Sequence, residues 1–394
     1  MGNENPSDVV FTLFLKHHHQ TTYEMNQRLT IFSRPIYVSL AFAASSFLFT
    51  ACNDSTTTDE NTNDTTAANS KEKKREYLAQ PLVSHIYTAD PSAHVFNGRV
   101  YVYPSHDTAT GTPQDDMGSH FDMRDYHVFS MDSVGAPVTD HGVALHLNDV
   151  PWAGRQLWAP DAAFNNGTYY LYFPAKDKKD IFRIGVATSD KPEGPFKAEK
   201  DYIKGTYSMD PCVFKDDDGS FYLYFGGIWG GQLQRWDTDK YDSTAGNRKP
   251  DEPAVLPRIA KLSGGMKTLA EPVKQIQLLS KEGKPFLEKQ NDQRFFEGPW
   301  VFKKDGRYYF TYSTGDTHNL VYATGDSPYG PFSYQGVILK PVDGWTSHHS
   351  IMEDRGKWWL FYHDTQLSGD TPLRNIKVTE LKFNPDGSIQ TLTP

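Results

Sequence analysis

The chain has 394 residues and a formal net charge of −9; 38% of its residues are hydrophobic and 14% are aromatic. This length allows one large domain or two ordinary ones. The acidic balance and the lack of a long lysine or arginine run argue against a nucleic-acid-binding surface, so no nucleic-acid partner is expected. The aromatic content is typical of a β-rich fold or of a surface that stacks on flat ligands.

Residues 25–51 have the layout of a bacterial export signal. Arg28 and Arg34 supply a basic start, a short apolar run follows, and small residues precede Cys52. The sequence around Cys52 resembles a lipobox, in which the cysteine is lipidated and becomes the first residue of the mature protein. The apolar run is short for a membrane span. We therefore expect an exported bacterial lipoprotein, attached to a membrane through its lipid anchor alone, on the periplasmic face or the cell surface. A transmembrane anchor and a plain signal peptide are the alternatives.

The regions around this signal differ in composition. Residues 1–24 are interpreted as an upstream extension with a mis-assigned start, and the three histidines at 17–19 within it are assigned no role. Residues 52–76 hold almost nothing that could build a core and are expected to form a disordered tether. The folded domain is then residues 77–394. With Cys52 lipidated, Cys212 has no disulfide partner and is expected to be a buried small apolar residue.

Five segments of this domain repeat one pattern: an apolar strand, a tight polar turn with glycine, and a second strand rich in aromatic residues. They read HVFNGRVYVYPSHD from His94, AAFNNGTYYLYFPAKD from Ala162, CVFKDDDGSFYLYFGG from Cys212, WVFKKDGRYYFTYSTGD from Trp300 and SIMEDRGKWWLFYHD from Ser350. Each has the signals of a β-hairpin. A repeated hairpin points to a repeat architecture.

A third strand follows at least two of these hairpins. RIGVATSDKPEGPF comes after the second and LVYATGDSPYGPF after the fourth, and both end in Gly-Pro-Phe. No long stretch has helical periodicity. Five sheets of three or four strands predict an all-β, five-bladed β-propeller, with a β-sandwich as the alternative.

An ionisable residue stands ahead of each hairpin: Asp90, Asp161, Asp210, Glu297 and, for the fifth, the pair His348 and His349. The first strand of each propeller blade lines the central axis, so these side chains should converge in one small volume. Glu297 lies between Phe296 and Gly-Pro-Trp. Apolar neighbours and nearby negative charges both raise a carboxyl pKa, which makes Glu297 a candidate general acid. A second carboxylate acting as base would complete the pair that glycoside hydrolysis needs.

The segments TADPSAHVF, SMDPCVFKDDDG, FFEGPW and HHS, in this order and each beside a hairpin, resemble glycoside hydrolase family 43. The resemblance extends from about His85 to the C-terminus. It implies a five-bladed propeller and hydrolysis with inversion at the anomeric carbon. Residue by residue, it implies that Asp90 is the general base, Glu297 the general acid, and Asp210 the group that orients Glu297 and raises its pKa. Asp161 is left outside the catalytic set. The carboxyl groups of Asp90 and Glu297 are expected about 6.5–9.5 Å apart, as in inverting enzymes.

The resemblance also implies a divalent cation near the axis, with Ca²⁺ the expected ion. His348 is the expected ligand because it precedes Met352 by four residues, as Asp210 precedes Phe214; His349 is the alternative. A single histidine with water ligands would be a weak calcium site. A buried histidine bonded to a backbone carbonyl is the competing interpretation.

Aromatic residues near the starts of the blades could stack on a sugar, and an arginine could bond its hydroxyls. The candidate substrate contacts are Trp158, Trp229, Phe296, Trp300 and Arg374. Aromatic residues in a propeller are often core residues instead. The leading hypothesis is an exo-acting β-xylosidase that releases xylose from xylo-oligosaccharides. An α-L-arabinofuranosidase acting on arabinoxylan or arabinan side chains is the alternative within the class, and a non-catalytic glycan-binding lipoprotein is the alternative outside it.

Overall fold

The computed structural model of the protein describes residues 76–394. The predictions for residues 1–75, which include the export signal, Cys52 and almost all of the tether, lie outside the described residues. Within the described part, no helix is both long enough and apolar enough to span a membrane.

The described chain forms five sheets, which we call blades 1 to 5 in chain order. Blade 1 contains β1 (Tyr87–Phe96), β2 (Arg99–Asp107), β3 (Asp125–Met131) and β4 (Thr139–His146). Blade 2 contains β5 (Ala153–Arg155), β6 (Asp161–Asn165), β7 (Thr168–Asp177), β8 (Phe182–Ser189) and β9 (Lys197–Ala198). Blade 3 contains β10 (Cys212–Lys215), β11 (Phe221–Phe225), β12 (Arg258–Lys261) and β13 (Lys274–Gln275).

The remaining strands form the last two blades. Blade 4 contains β14 (Leu278–Leu279), β15 (Phe295–Lys304), β16 (Arg307–Thr314), β17 (Leu320–Gly325) and β18 (Phe332–Leu339). Blade 5 contains β19 (His349–Asp354), β20 (Lys357–Asp364) and β21 (Asn375–Leu381). The helical elements of the described residues are three short 3₁₀ turns at Leu147–Asp149, Trp229–Gly231 and Leu233–Trp236.

The inner strands of the blades meet around a ring. β1 contacts β6, β6 contacts β10, β10 contacts β15, β15 contacts β19, and β19 contacts β1. Each of the five predicted hairpins is present as an antiparallel pair: β1 with β2, β6 with β7, β10 with β11, β15 with β16, and β19 with β20. The predicted five-bladed propeller is confirmed.

The hairpin turns explain why the pattern could be recognised. In the fourth hairpin, Asp305 and Gly306 have φ angles of 51° and 76°. Two consecutive positive φ values are those of a two-residue turn whose twist matches the paired strands, and a glycine tolerates this backbone without strain. The first hairpin has the same geometry at Asn97 and Gly98.

Large aromatic and aliphatic side chains fill the space between neighbouring blades. Tyr103 and Tyr126 of blade 1 pack in one cluster with Phe173 of blade 2, and all three are fully buried. Phe129 and Phe361 are in a second cluster, between blades 1 and 5. Because the blades touch through these side chains rather than through a shared sheet, the stability of the ring depends on aromatic packing.

Leu82, ahead of blade 1, and Thr88, at the start of β1, bond to blade 5 and close the ring. The Leu82 N–H donates to the Ile376 carbonyl at 2.8 Å, and the Thr88 N–H donates to the Arg374 carbonyl at 2.8 Å. The start and the end of the described domain therefore share one set of backbone hydrogen bonds beside β21.

Candidate active site

A pocket lies where the predicted residues converge. Its empty space, counted together with the solvent-filled opening, is about 910 Å³. Its lining includes Asp90, Asp210, Glu297, His348 and Arg374, together with the aromatic residues Phe121, Trp158, Trp229, Phe296 and Trp345. Most of the predicted site residues are thus brought together, although the sequence separates the first from the last by more than two hundred positions.

The backbone that carries these carboxyl groups is irregular, and this irregularity sets their positions. Asp90 and Asp210 have φ angles of 50° and 55°, which non-glycine residues rarely adopt. The pairing of β1 with β2 shifts register between Ala89 and Ser92, and that of β15 with β16 shifts on both sides of Glu297. Asp90 and Glu297 therefore lie within strands at bulges, not ahead of the strands as the sequence suggested. A bulge redirects a side chain, and backbone strain of about 1–3 kcal/mol per residue is commonly found at functional sites.

The Asp90 carboxylate is held from both sides. Ser105 donates to its Oδ2 at 2.7 Å and Arg374 Nη1 donates to its Oδ1 at 3.0 Å. Nδ1 of His348 lies 3.6 Å from the same Oδ1. Burial alone would raise the pKa of Asp90, but the charge of Arg374 and the contact with His348 hold it well below its usual range. Asp90 is therefore ionised near neutral pH.

The pKa of Glu297 is shifted in the opposite direction to that of Asp90. Burial, followed by the negative charge of Asp210, raises the pKa of the Glu297 carboxyl to about 8. Within residues 76–394 no hydrogen bond occupies this carboxyl group, so its proton can be directed into the pocket. One carboxyl with a lowered pKa and one with a raised pKa are a base and an acid available together near neutral pH.

Asp210 interacts with both Asp90 and Glu297. Its Oδ2 accepts a hydrogen bond from the backbone N–H of Gly298, the residue that follows Glu297, at 2.9 Å. Burial, opposed by the charge of His348 and assisted by the charge of Asp90, raises the pKa of Asp210 to about 6. Asp210 thus fixes the backbone beside Glu297 and, when ionised, opposes the loss of the Glu297 proton.

The two adjacent histidines point in different directions. His348 lines the pocket and its ring lies against Gly298, where an added Cβ would come within 2.5 Å of it. Burial alone would lower the pKa of His348, but the charge of Asp210 and the contact with Asp90 raise it to about 9. His349 begins β19 and is almost fully buried, with its Nε2 hydrogen-bonded to Oγ1 of Thr311 at 2.6 Å. Successive strand residues face opposite sides, so His349 does not reach the pocket and is withdrawn as an alternative ligand.

The aromatic candidates divide into pocket and core. Trp229 stacks on Trp345 with ring centroids 5.5 Å apart, and Phe296 packs edge-on against Trp229 at 5.3 Å. Trp158 also lines the pocket, and its indole N–H is already bonded to the Phe121 carbonyl at 2.7 Å. These side chains present apolar faces suited to a sugar ring.

Trp300 is placed elsewhere. Its indole N–H donates to the Ile351 carbonyl at 2.8 Å, and its ring lies 5.5 Å from that of His94. It lies three residues beyond Glu297 on β15, which is about 10 Å farther along a strand. Trp300 is therefore a core residue that does not line the pocket, and the expected sugar contact is absent at this position.

Arg374 is buried and firmly paired. Its Nε and Nη2 donate to the two oxygens of Asp107, each at 2.8 Å, while Nη1 reaches Asp90. Its guanidinium also lies 4.5 Å from the centroid of the Phe121 ring. Arg374 thus positions Asp90, in addition to lining the pocket where hydroxyl groups would bind.

Sequence reasoning missed Asp107 and His363. His363 is almost fully buried; its Nδ1 accepts the Asp90 N–H at 3.0 Å and its Nε2 lies 3.0 Å from the Thr346 carbonyl. This contact fixes the strained backbone of Asp90. A signal was present, because the second strands of hairpins one and five both end in His-Asp, at His106-Asp107 and His363-Asp364.

Asp161, left outside the catalytic set, is fully buried in the structure. Its Oδ1 lies 2.6 Å from Nε2 of His94, and its other oxygen accepts the backbone N–H of Val213. It joins the inner strands of blades 1, 2 and 3 and does not line the pocket.

The chain is similar to several known proteins. The sequence pattern of glycosyl hydrolases family 43 matches residues 81–389. The chain is 57% identical over 324 residues to "Xylosidase/arabinosidase 43A" of Humicola insolens, covering 80% of this chain and 99% of that protein. It is 50% identical over 311 residues to "Beta-xylosidase" of Xylanibacter ruminicola, covering 78% and 97%.

Among solved structures, it is similar to CoXyl43, a GH43 β-xylosidase/α-arabinofuranosidase from a compost microbial metagenome, solved with xylotriose in a calcium-free form. The TM-score is 0.79 with 64% identity, over 81% of this chain and 98% of that one.

Proposed function

The chain belongs to glycosyl hydrolases family 43, and from this premise we propose that it is an exo-acting β-xylosidase with accompanying α-L-arabinofuranosidase activity. The observation that carries the proposal is the pairing, in one pocket, of the ionised Asp90 with Glu297, whose pKa is raised to about 8. The relatives named for xylosidase and arabinosidase activity, and the xylotriose bound to a similar structure, support the substrate class.

In the proposed reaction, Glu297 donates its proton to the glycosidic oxygen as the bond to the leaving sugar breaks. Asp90 accepts a proton from the water that attacks the anomeric carbon on the opposite face. The expected product has inverted configuration, which requires room for water between the two carboxyl groups. Arg374 and Ser105 hold Asp90 in place before the substrate binds, so the base is already oriented for the reaction.

A panel of aryl glycosides and xylo-oligosaccharides tests the function. Release of xylose from the non-reducing ends of xylobiose and xylotriose, with slower hydrolysis of an aryl α-L-arabinofuranoside, is the expected result. Hydrolysis of the arabinofuranoside alone would instead favour an arabinofuranosidase acting on arabinoxylan or arabinan side chains. Binding without hydrolysis of any substrate would favour a non-catalytic glycan-binding protein. NMR of the fresh product gives its anomeric configuration, and a retained configuration would contradict the mechanism.

The pH profile should report the coupling between Asp210 and Glu297. Because Glu297 must be protonated and its pKa is raised to about 8, kcat/KM should be sustained below this pH and fall as the pH rises through it. Asp210→Asn removes a negative charge that favours the protonated form, so the alkaline limb should move to lower pH. Asp201→Asn removes an exposed charge far from the pocket and should leave the limb in place. An unchanged limb in Asp210→Asn would remove Asp210 from its assigned role.

We also propose that the pocket takes a divalent cation, with Ca²⁺ the expected ion and His348 its one protein ligand. The residues can hold such an ion once His348 has lost its proton, because the cation would then replace that positive charge among the three carboxyl groups that raise the His348 pKa. The calcium-free form described for CoXyl43 supports the choice of ion. A bound cation would supply positive charge near the sugar hydroxyls, and water molecules would complete its coordination.

Chelator should accordingly lower activity, and added Ca²⁺ should restore it while the melting temperature changes little. His348→Ala should give a folded protein that no longer responds to calcium, whereas His141→Ala, in blade 1, should respond as the wild type does. A chelated preparation shown to be metal-free but fully active would assign His348 to substrate contact instead.

For the N-terminal region we propose lipidation at Cys52, which would place the enzyme at a membrane surface outside the cytoplasm. The support is the signal-like sequence of residues 25–51. Metabolic labelling with a fatty-acid analogue should mark the wild type but not Cys52→Ser. Unlabelled wild-type protein in the culture medium would contradict the proposal.

A further inference from the structure

A second group of metal-ligand side chains lies on blade 1, outside the pocket. His106 is near the end of β2, and Asp125 and His127 are on the adjacent strand β3. Each offers an atom within 4.8 Å of the atoms offered by the other two. Asp125 and His127 are two residues apart on one strand, so both face the same side of the blade.

The geometry points to a Zn²⁺ site formed by His106, Asp125 and His127, separate from the pocket. Two imidazole nitrogens and one carboxylate oxygen, with water in the remaining position, are a ligand set that Zn²⁺ accepts. Ca²⁺ and Mg²⁺ prefer sites made of oxygen atoms, so this cluster selects a different ion from the one proposed at His348.

His127 is already oriented to bind a metal. Its Nδ1 lies 3.0 Å from Oδ1 and 3.3 Å from Oδ2 of Asp140, and Asp140 is itself bonded to His85. With the proton of Nδ1 donated to Asp140, Nε2 carries the lone pair, and no described residue occupies it with a hydrogen bond. A carboxylate behind a ligating histidine fixes its tautomer and increases its basicity.

His106 and Asp125 need only a small adjustment. Nδ1 of His106 lies 2.6 Å from Oδ1 of Asp125. Two ligands on one tetrahedral zinc, with bonds of about 2.0–2.1 Å, lie about 3.3 Å apart. The pair must therefore open by less than 1 Å, while His127 moves inward from the present spacing. The exposed fractions of the three side chains are 18%, 18% and 14%, so an ion can reach them from solvent and the side chains have room to rotate.

The competing interpretation is an ion pair without metal. The hydrogen bond that His106 donates to Asp125 raises the pKa of His106, as expected for a protonated histidine beside a carboxylate. Zinc would replace this proton, since a metal-bound nitrogen must be unprotonated. The two interpretations therefore differ in one measurable quantity, the stoichiometry of zinc binding above the histidine pKa.

Calorimetric titration of the full chain with Zn²⁺ after chelator treatment and removal of the chelator tests the site. His127→Gln and Asp125→Asn should each bind one equivalent fewer than the wild type. The histidines at 17–19 are a separate potential ligand group, so the variant with all three changed to glutamine should keep the blade 1 equivalent. His141→Gln, on the neighbouring strand β4, should also keep it. Equal stoichiometry in the wild type, His127→Gln and Asp125→Asn would overturn the site.

A spectroscopic measurement keeps the test decisive if a blade 1 variant fails to fold. Co²⁺ added to the 17–19 variant should give the visible absorption of a four- or five-coordinate ion, and Zn²⁺ should abolish it. Absorption no stronger than that of aqueous Co²⁺ would overturn the proposal. Neither measurement uses a substrate, so the outcome is independent of the hydrolase activity and of calcium at His348.

Discussion

Glu297→Gln should lower kcat/KM on xylobiose by about 10²–10⁴-fold, the range contributed by a general acid. The loss on an aryl xyloside with a good leaving group should be much smaller, because such a group departs without protonation. Glutamine keeps the size of the side chain and cannot donate the carboxylic proton. Stopped assays on both substrates, with the same enzyme preparation, give the ratio of the two losses.

Glu353→Gln is the matched control, because Glu353 is exposed on β19 and away from the pocket. It should leave both substrates unaffected. The alkaline limb of the pH profile should also disappear in Glu297→Gln on the activated substrate, since the titrating group is gone. Equal losses on xylobiose and on the aryl xyloside would exclude Glu297 as the proton donor.

Asp90→Asn should lower kcat by about 10²–10⁴-fold on every substrate, whatever its leaving group, because the base acts on the attacking water. Asparagine can still accept the hydrogen bond from Ser105 and lie beside Arg374. The loss of activity should therefore come from the missing proton acceptor rather than from a displaced side chain. Azide, a nucleophile that needs no base, should partly restore cleavage of an aryl xyloside and give a xylosyl azide of inverted configuration.

Asp161→Asn provides the contrast, because Asp161 also stands at the start of a hairpin but lies outside the pocket, where it bonds to His94 and Val213 of the neighbouring blades. It should lower the melting temperature and leave kcat of the folded enzyme nearly unchanged. An Asp90→Asn enzyme that loses activity only in proportion to its unfolded fraction would show that Asp90 is structural as well.

The sequence predicted the fold well because each blade repeats one local signal. Turns such as Asn97-Gly98 and Asp305-Gly306 determine hairpins within a few residues, and five hairpins without helices leave few architectures. Convergence of Asp90, Asp210 and Glu297 then followed from the repeat, since the inner strands of all five blades surround one axis. The repeat alone predicted too much, because Asp161 and His349, beside the other two hairpins, lie outside the pocket.

The parts that sequence reasoning could not predict depend on departures from that symmetry. A bulge on each side of Glu297 changes the direction of the residues after it, so Trp300 lies in the core although Phe296 lines the pocket. Contacts between different blades could not be predicted from the sequence either. The pairing of Asp107 with Arg374 joins residues from blades 1 and 5, and no local pattern connects them.

The ring closes next to Asp90, the proposed general base. Asp90 is held by Arg374 and His363 of the last blade, next to the hydrogen bond from Thr88 to the Arg374 carbonyl. Regions of a folded protein open locally at a lower free-energy cost than global unfolding. We call these contacts between blades 1 and 5 the seam. Local opening of the seam would separate Asp90 from its partners while blades 2, 3 and 4 stay folded. Heat would then inactivate the enzyme below its melting temperature. A sugar bound between Asp90 and Glu297 bridges blades 1 and 4 across blade 5, and by mass action it would hold the seam shut. Bound substrate would then stabilise the closed ring of the enzyme that hydrolyses it.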